Sequence, residues 1–262
     1  MHMRAKKWAR AELAACAYRL TESDDLKGRW RTRFSDPDAP LALEIGCGKG
    51  VFTSRFAAAH PDINIVAMDV SPDVLGDTRR NLAALCGEPP KNALILQADA
   101  CKIEEYFDET DRVNMILLNF SNPWSERPKH EKRRLTHPRQ LTQYRRFLTD
   151  GGEIRFKTDD QGFFDDSRAY FALCGFAPVY VTRDLHAPGT ENEYRDFPSE
   201  HEKKFMAEGI PILCCVFRKT PDAPLIDPIR FRLTPGIRKK TLEISEQYCE
   251  VGNITNNLEK LI

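Results

Sequence analysis

A glycine-rich turn preceded by a carboxylate is the first group of residues in this sequence that could bind a nucleotide. Glu44 lies two residues before Gly46, Gly48 and Gly50, which form a G-x-G-x-G run between an apolar stretch and a helix-like one. Glycines at alternate positions let the backbone turn tightly and approach a ligand beside a helix N-terminus. Because the dinucleotide fingerprint is G-x-G-x-x-G, this spacing fits S-adenosylmethionine better than NAD. Alone, the run could also be a structural turn.

Two aspartates at the ends of the next apolar stretches strengthen this interpretation. Asp69 lies at the end of NIVAMDV, where a carboxylate commonly holds both ribose hydroxyls, and Asp99 follows ALILQ, where it would lie by the adenine. Either aspartate taken singly could instead cap the next helix. Since ligands of open α/β sheets bind outside the carboxyl ends of the strands, Glu44 and the two aspartates would converge. The sequence therefore predicts an S-adenosylmethionine site.

The segment after the fourth apolar stretch could hold a nucleic-acid base next to this site. Residues 119–124 read NFSNPW and place the polar Asn122, a proline turn and the large aromatic Trp124 in one short loop. Residues 127–146 then contain eight Lys or Arg and one acid. An aromatic side chain with basic neighbours can stack a base and bind its phosphates. Two plainer interpretations stay open, a core position for Trp124 and a solvated helix face for the basic residues.

Short apolar stretches alternate with amphipathic ones from residue 41 onward, and they must position these side chains. Apolar strands separated by helices predict a mostly parallel central sheet with helices on both faces. Together with the predicted cofactor site, this pattern indicates an α/β, Rossmann-like fold of the S-adenosylmethionine (SAM)-dependent methyltransferases. The predicted strands are 41–45, 64–70, 93–97, 112–120, 153–157, 178–182 and 212–218. The predicted helices are 51–60, one from Ser71 to near Gly87, one from Thr136 through Leu148 with Gly151 near its C-terminus, 161–174, and one within 237–250.

Composition and charge limit the class of protein to which this chain can belong and indicate how it is organised. The 262 residues include 39 basic and 39 acidic side chains and are 41% hydrophobic, which is typical of a soluble globular protein. The charged N-terminus lacks an apolar signal core, so we expect a cytoplasmic protein. The eight cysteines form no CxxC pair and have no histidines at zinc spacing, so we expect free thiols and no metal. We expect a basic N-terminal segment (1–34), a methyltransferase domain (35–219) and a C-terminal appendage (220–262) of unknown role.

The order of motifs along the chain resembles that of the bacterial tRNA (guanine-N7-)-methyltransferases of the TrmB type. The resemblance runs from Met3 to about Lys219. The shared motifs are MRAKKWA, EIGCGKG, LNFSNPW, HEKRRLT (130–136), FKTDD (156–160), DLH (184–186) and SEHEKKF (199–205). The combination of NFSxPW, HEKRRLT and KTD is specific to that family. It implies methyl transfer from S-adenosylmethionine to N7 of guanosine 46 in the variable loop of tRNA, by a monomer or a homodimer.

The resemblance also assigns expected roles to single residues. Glu44, Asp69 and Asp99 would bind S-adenosylmethionine, and Asn122 would lie at the catalytic position and contact it as well. The target guanosine would contact Asp159 and the segment Ser199, Glu200, His201 and Glu202. Since guanine offers donors on one edge and carboxylates accept them, we further expect Asp159 and Glu202 to accept its N1–H and exocyclic amine. From their positive charge, we expect the basic N-terminal segment and Lys132, Arg133 and Arg134, next to Trp124, to hold the tRNA backbone.

The sequence departs from the family pattern at three places. Asn122 stands where an Asp is usual, and the loop Ser125–Pro128 is one residue longer than the family's P-K-K. The usual T-x-Y-E is here S-E-H-E, whose Ser199 and Glu202 also have capping-box spacing. Guanine N7 is an unprotonated nucleophile that needs no general base, so we expect Asn122 to orient the base and activity to be retained. The alternatives are a methyltransferase for another RNA and a tRNA-binding protein that has lost turnover.

Overall fold

The structure is a computed structural model that describes residues 6–21, 25–125, 128–190 and 192–247. Glu126 and Arg127 of the lengthened loop, and the two ends of the chain, lie outside these residues. The described strands are β1 (Arg19–Thr21), β2 (Leu41–Ile45), β3 (Asn64–Asp69), β4 (Ala93–Gln97), β5 (Val113–Asn119), β6 (Leu148–Thr158), β7 (Phe176–Thr182) and β8 (Leu213–Lys219). The described helices are α1 (Lys7–Ala14), α2 (Val51–Ala59), α3 (Pro72–Cys86), α4 (Pro138–Phe147), α5 (Gln161–Leu173), α6 (Glu200–Ala207) and α7 (Pro235–Gln247).

The eight strands form one sheet in the order β1-β4-β3-β2-β5-β6-β8-β7. Strands β1 to β6 are parallel to one another, and β8 runs antiparallel to both β6 and β7. Every residue of β2 is buried, as expected for a parallel strand covered on both faces. The predicted mostly parallel α/β sheet is therefore confirmed, and its carboxyl edge is the place where β2 to β6 all end.

Two local predictions differ from the structure. Helix α4 begins at Pro138 and is capped by the ring of His137, which accepts a hydrogen bond from the Arg139 backbone N–H at 3.2 Å. The sequence predicts a helix that begins with Thr136 as its cap, but the Thr136 hydroxyl is buried and lies 2.7 Å from the Ser167 hydroxyl. Gly151 does not end this helix, because α4 passes directly into β6, where Gly151 has φ +74° beside an irregular register with β5.

The N-terminal residues form an element that the sequence did not indicate. Helix α1 packs on α3, and the Lys6 backbone N–H donates to Asp73 at 2.8 Å. The Arg80 guanidinium lies over the Trp8 ring, 3.5 Å from its centroid. Part of the basic charge of this segment therefore serves the fold through contacts with acidic and aromatic side chains.

Helix α7 belongs to the expected C-terminal appendage and packs against α5. Its Arg238 pairs with Asp166 at 2.9 Å, and its Glu246 pairs with the buried Arg168 at 3.0 Å. Ile244 packs against Ala172 of α5. Within the described part of the chain, no helix has the length and apolar character needed to cross a membrane. Seven cysteines there are free, and five of them are buried: Cys16, Cys47, Cys174, Cys214 and Cys215.

Candidate active site at the carboxyl ends of the strands

The glycine turn between β2 and α2 is shaped by close backbone packing. The amide of Gly46 donates to the Met68 carbonyl at 2.8 Å, which ties the turn to β3. Gly50 has φ +66°, and a Cβ there would lie 2.5 Å from Thr78 Cγ2, so a side chain would strain the backbone and clash with α3. Around Gly48, at φ +57°, a Cβ would meet nothing within 4 Å. Gly48 therefore faces open space, whereas Gly50 closes the turn against α3.

Asp69 is held at the end of β3 by two backbone amides. Its Oδ1 accepts from the Ser71 N–H at 2.9 Å and its Oδ2 from the Gly48 N–H at 3.1 Å. Each carboxylate oxygen keeps a second lone pair for a further donor. Burial raises the pKa of this carboxyl above its ordinary value, and the backbone hydrogen bonds oppose that rise. The carboxylate is thus oriented before any ligand arrives.

A cleft, here called the strand-end cleft, opens where β2 to β5 end. Asp99 lies in it and accepts the Cys101 N–H at 2.9 Å, so its predicted cap contact exists alongside its place in the cleft. Val70 is 63% exposed there, an apolar side chain left uncovered directly beside Asp69. The other cleft residues are Ile45, Gly46, Met68, Ala98, Ala100, Cys101, Phe120, Ser121, Asn122, Trp124, Arg133 and Leu135. Acidic and apolar groups therefore share one open site.

The loop after β5 supplies the far wall of this cleft. Asn122 is exposed, and its Oδ1 accepts the Trp124 backbone N–H at 2.9 Å, which leaves the Nδ2 amide as a donor. Trp124 is half-buried, and the Arg133 guanidinium lies 5.1 Å from its ring centroid. The structure thus places Trp124 at the cleft and excludes the core position that the sequence left open.

A second cleft, the α6 cleft, adjoins the first and shares Gly46 and Phe120 with it. Glu44 lies at its base, buried, and accepts hydrogen bonds from the Thr53 hydroxyl and from Asn119 Nδ2, the latter at 2.9 Å. Burial raises the pKa of Glu44 to about 7. The remaining residues around this cleft are Cys47, Gly48, Lys49, Val51, Phe52, Val74, Ser199, Glu200 and His201.

The raised pKa of Glu44 predicts a pH dependence of stability. Since the folded pKa of about 7 exceeds the ordinary 4.5, the folded state binds more protons between these values, and stability falls as pH rises through this window. Across this whole pH range, the free energy of unfolding falls by about 3 kcal/mol. The Glu44→Gln variant cannot ionise here, so its unfolding free energy relative to the wild type should be higher at pH 8 than at pH 5. Urea denaturation of ligand-free protein at both pH values measures this, and an equal difference at both would contradict it.

The N-terminus of α6 carries the predicted capping box. The Ser199 hydroxyl accepts the Glu202 N–H at 3.1 Å, and the Glu202 carboxylate accepts the Ser199 N–H at 3.2 Å. This box puts Ser199, Glu200 and His201 at the α6 cleft, where Glu200 pairs with Lys49 at 2.7 Å and the His201 ring lies 6.3 Å from Phe120.

Glu202 differs from its predicted role as a guanine acceptor. The residue is 0% exposed, and its carboxylate lies 2.6 Å from Lys157 Nζ and 2.8 Å from His186 Nε2. With these two partners and the Ser199 amide, both oxygens are engaged within the protein. Glu202 therefore stabilises the start of α6 and is not among the residues that line the α6 cleft.

Arg134 also differs from its prediction. It is 3% exposed; its Nε donates to the Pro123 carbonyl at 2.6 Å, and a terminal nitrogen lies 2.8 Å from Asp166. A guanidinium committed in this way holds the Asn122–Trp124 loop onto α5 and is not part of a surface for phosphate. Lys132 and Arg133, by contrast, are exposed.

Asp159 follows β6 and lies outside both clefts. It is half-buried, and among the described residues its carboxylate has no hydrogen-bond partner. Sequence reasoning did not assign a role to Phe120, Lys157 or Val70, because their neighbours along the chain do not indicate which side chains they meet in the fold.

The chain is similar to known methyltransferases. A family model described as "putative methyltransferase" matches residues 38–215. The tRNA (guanine-N(7)-)-methyltransferase of Clostridium perfringens (strain SM101 / Type A) is 42% identical over 222 residues, 84% of this chain and 100% of that protein. The protein of the same name from Acetivibrio thermocellus is 40% identical over 222 residues, with the same coverage of 84% and 100%. A crystal structure of the 16S rRNA methyltransferase KamB shares the fold, with a TM-score of 0.51 and 13% identity over 73% of this chain and 91% of that one.

Proposed function

Because the chain belongs to the family of tRNA (guanine-N(7)-)-methyltransferases, we propose that it methylates N7 of guanosine 46 in the variable loop of tRNA, with S-adenosylmethionine as the methyl donor. The observation that carries the proposal is the strand-end cleft, which joins Asp69 and Asp99 to the loop of Asn122 and Trp124. The proposed nucleoside site and the proposed base-stacking loop thus share one opening. The tRNA substrate is consistent with an enzyme of the cytoplasm.

The residues of the two clefts fit S-adenosylmethionine. Asp69 is oriented by backbone amides and can still accept both ribose hydroxyls, while the exposed Val70 offers an apolar surface for the adenine. The open space at Gly48 lets a ligand approach the backbone closely. Glu44 and the N-terminus of α6 line the adjoining α6 cleft, which is suited to the amino-acid end of S-adenosylmethionine. When bound, S-adenosylmethionine supplies a methyl group made electrophilic by its sulfonium.

The chain's own residues have to position the guanine, because N7 needs no base. Trp124 offers a face for stacking, and Arg133 lies over that ring, where it can also reach a phosphate. Asn122 is fixed by the hydrogen bond that its Oδ1 accepts from the Trp124 N–H, a bond that a carboxylate could accept equally, and it orients the base through its position beside Trp124. In-line positioning of this kind is worth several kcal/mol of the barrier. Asp159, a carboxylate with no partner in the described part of the chain, is the remaining candidate acceptor for the guanine N1–H and amine.

The Asn122→Asp variant tests both the activity and the role of this residue. Since Asn122 orients the base and removes no proton, we expect the variant to form 7-methylguanosine at a rate equal to or higher than that of the wild type. The Asn122→Ala variant loses the oriented amide and should be about 10- to 100-fold slower. The measurement incubates protein with S-adenosylmethionine and tRNA lacking 7-methylguanosine, then digests the RNA and quantifies nucleosides by mass spectrometry.

The outcomes of that assay separate the alternatives. Methylation mapped to nucleotide 46 supports the proposal. Binding of both ligands by the wild-type protein without product would favour a tRNA-binding protein that has lost turnover. A severe loss of rate in Asn122→Asp would contradict the orienting role, since it would mean that the site depends on the amide itself.

A further inference from the structure

A basic segment near the end of the described chain takes no part in the site described above. Residues 228–240, here called the C-terminal basic segment, contain five Lys or Arg and no acid. The segment lies outside residues 38–215, which the methyltransferase family model matches. Its composition is that of a surface for a polyanion, provided that the fold fixes it in place and leaves its charges exposed.

Packing fixes the backbone of this segment. Phe231, Leu233 and Ile237 are partly buried and pack against the main hydrophobic core. The intervening charged residues point the other way: Arg230, Arg232, Lys239 and Lys240 are exposed. An alternation of buried apolar and exposed basic side chains therefore presents several positive charges from a rigid support, which lowers the entropy lost on binding.

A line of ion pairs connects this segment to the active-site loop. Arg238 lies 2.9 Å from one oxygen of Asp166, and Arg134 lies 2.8 Å from the other oxygen. Arg134 in turn donates to the Pro123 carbonyl at 2.6 Å. The side chains of Arg238, Asp166 and Arg134 thus span the whole distance from α7 to the loop that carries Asn122.

The cations of the segment also lie near those of the loop. Burial, together with the charges of Arg139, Lys132, Arg134 and Arg232, lowers the pKa of His137 to about 4. The charges of Arg232 in the segment and of Lys132 beside the loop therefore both act on the same buried imidazole, so the two basic regions lie near each other.

We propose that the C-terminal basic segment is a second binding surface for the sugar-phosphate backbone of tRNA, continuous with Lys132 and Arg133 at the active site. The inference rests on the proposed function, because a tRNA whose guanosine enters the strand-end cleft has to cross the face beside it. Charge complementarity and this proximity favour RNA over a membrane, for which the segment exposes one large apolar side chain, Ile229.

Local acids neutralise only part of the segment. Arg230 lies 3.7 Å from Asp227, and Lys239 lies 3.9 Å from Glu243, both pairs being exposed and weak. Among the described residues, Arg232 and Lys240 have no acidic partner within 4.0 Å. Contact with phosphate can therefore form without breaking a strong internal pair.

The test removes three exposed charges together, in the variant Arg230→Gln, Arg232→Gln, Lys240→Gln. The matched control, Arg55→Gln, Lys91→Gln, Arg112→Gln, removes three exposed charges from α2 and from the edge where the parallel strands begin. Affinity for an unmodified tRNA transcript is measured across a range of salt concentrations. We expect the first variant to bind about tenfold or more weakly near physiological salt, with a salt slope shallower by up to about three, and the control to match the wild type.

Further measurements keep this inference separate from the proposed function. Both variants should bind S-adenosylmethionine as the wild type does, which excludes a folding defect. Unchanged tRNA affinity in the first variant, or an equal loss in the control, would overturn the inference even if the wild type forms 7-methylguanosine. Conversely, absence of that product would remove the proposed function while the binding data still decide on the surface. Binding to vesicles of anionic phospholipid, lost in the first variant while tRNA binding is kept, would assign the segment to a membrane instead.

Discussion

The Glu202→Ala variant is expected to unfold with a free energy about 3–5 kcal/mol below that of the wild type. Lys157 is 2% exposed and lies 2.6 Å from the Glu202 carboxylate, so the variant leaves a buried ammonium without its counterion. The same change removes the acceptor of the His186 ring and half of the capping box at α6. Urea denaturation followed by circular dichroism measures the effect.

Glu200→Ala is the matched control, on the same helix two residues earlier. Its pair with Lys49 at 2.7 Å is exposed, so its loss should cost about 1 kcal/mol or less. Replacing both buried partners, in Lys157→Met with Glu202→Leu, should cost less than Glu202→Ala alone, because no uncompensated charge remains. If the single and double variants were equally unstable, the buried pair would not be the cause.

The Asp69→Ala variant is expected to bind S-adenosylmethionine about 100-fold more weakly. Two hydrogen bonds from ribose hydroxyls to a charged group are each worth about 1.5 kcal/mol or more, and tenfold in affinity corresponds to about 1.4 kcal/mol. The variant also deprives the Gly48 amide of its acceptor and so loosens the glycine turn. Isothermal titration calorimetry measures the affinity directly, without tRNA.

Asp62→Ala provides the comparison for this effect. Asp62 is an exposed aspartate just before β3, at the opposite end of the strand from Asp69, and its loss should leave the affinity unchanged. An Asp69→Ala affinity within threefold of the wild type would exclude the ribose contact and would move the adenosine to another part of the cleft.

The sequence predicted the sheet well because buried parallel strands carry their signal locally. The apolar stretches around Leu43, Val66 and Ile95 became β2, β3 and β4 with bounds shifted by no more than one residue. The positions of the site residues at the strand ends could be predicted as well, because the topology determines where those ends meet. Asp69 and Asp99 therefore lie in one cleft, as expected.

The roles of charged residues whose partners are distant in the chain could not be predicted from the sequence. Arg134 and Glu202 stand in motifs that also contain exposed charges, and nothing in their neighbourhood marks them as buried. Their partners Asp166 and Lys157 are 32 and 45 residues away, on other elements. Whether a charge binds a ligand or supports the fold depends on such tertiary pairs, which only the folded chain shows.

Trp124 gives the protein an optical probe of its own. The chain has three tryptophans; Trp30 is buried against Phe107, and Trp8 is covered by Arg80, whereas Trp124 stands at the mouth of the strand-end cleft. Stacking of a purine on that indole would quench its emission, while the buried Trp30 would give a constant background. Substrate capture can thus be timed in a stopped-flow instrument without a fluorescent label on the protein or the RNA.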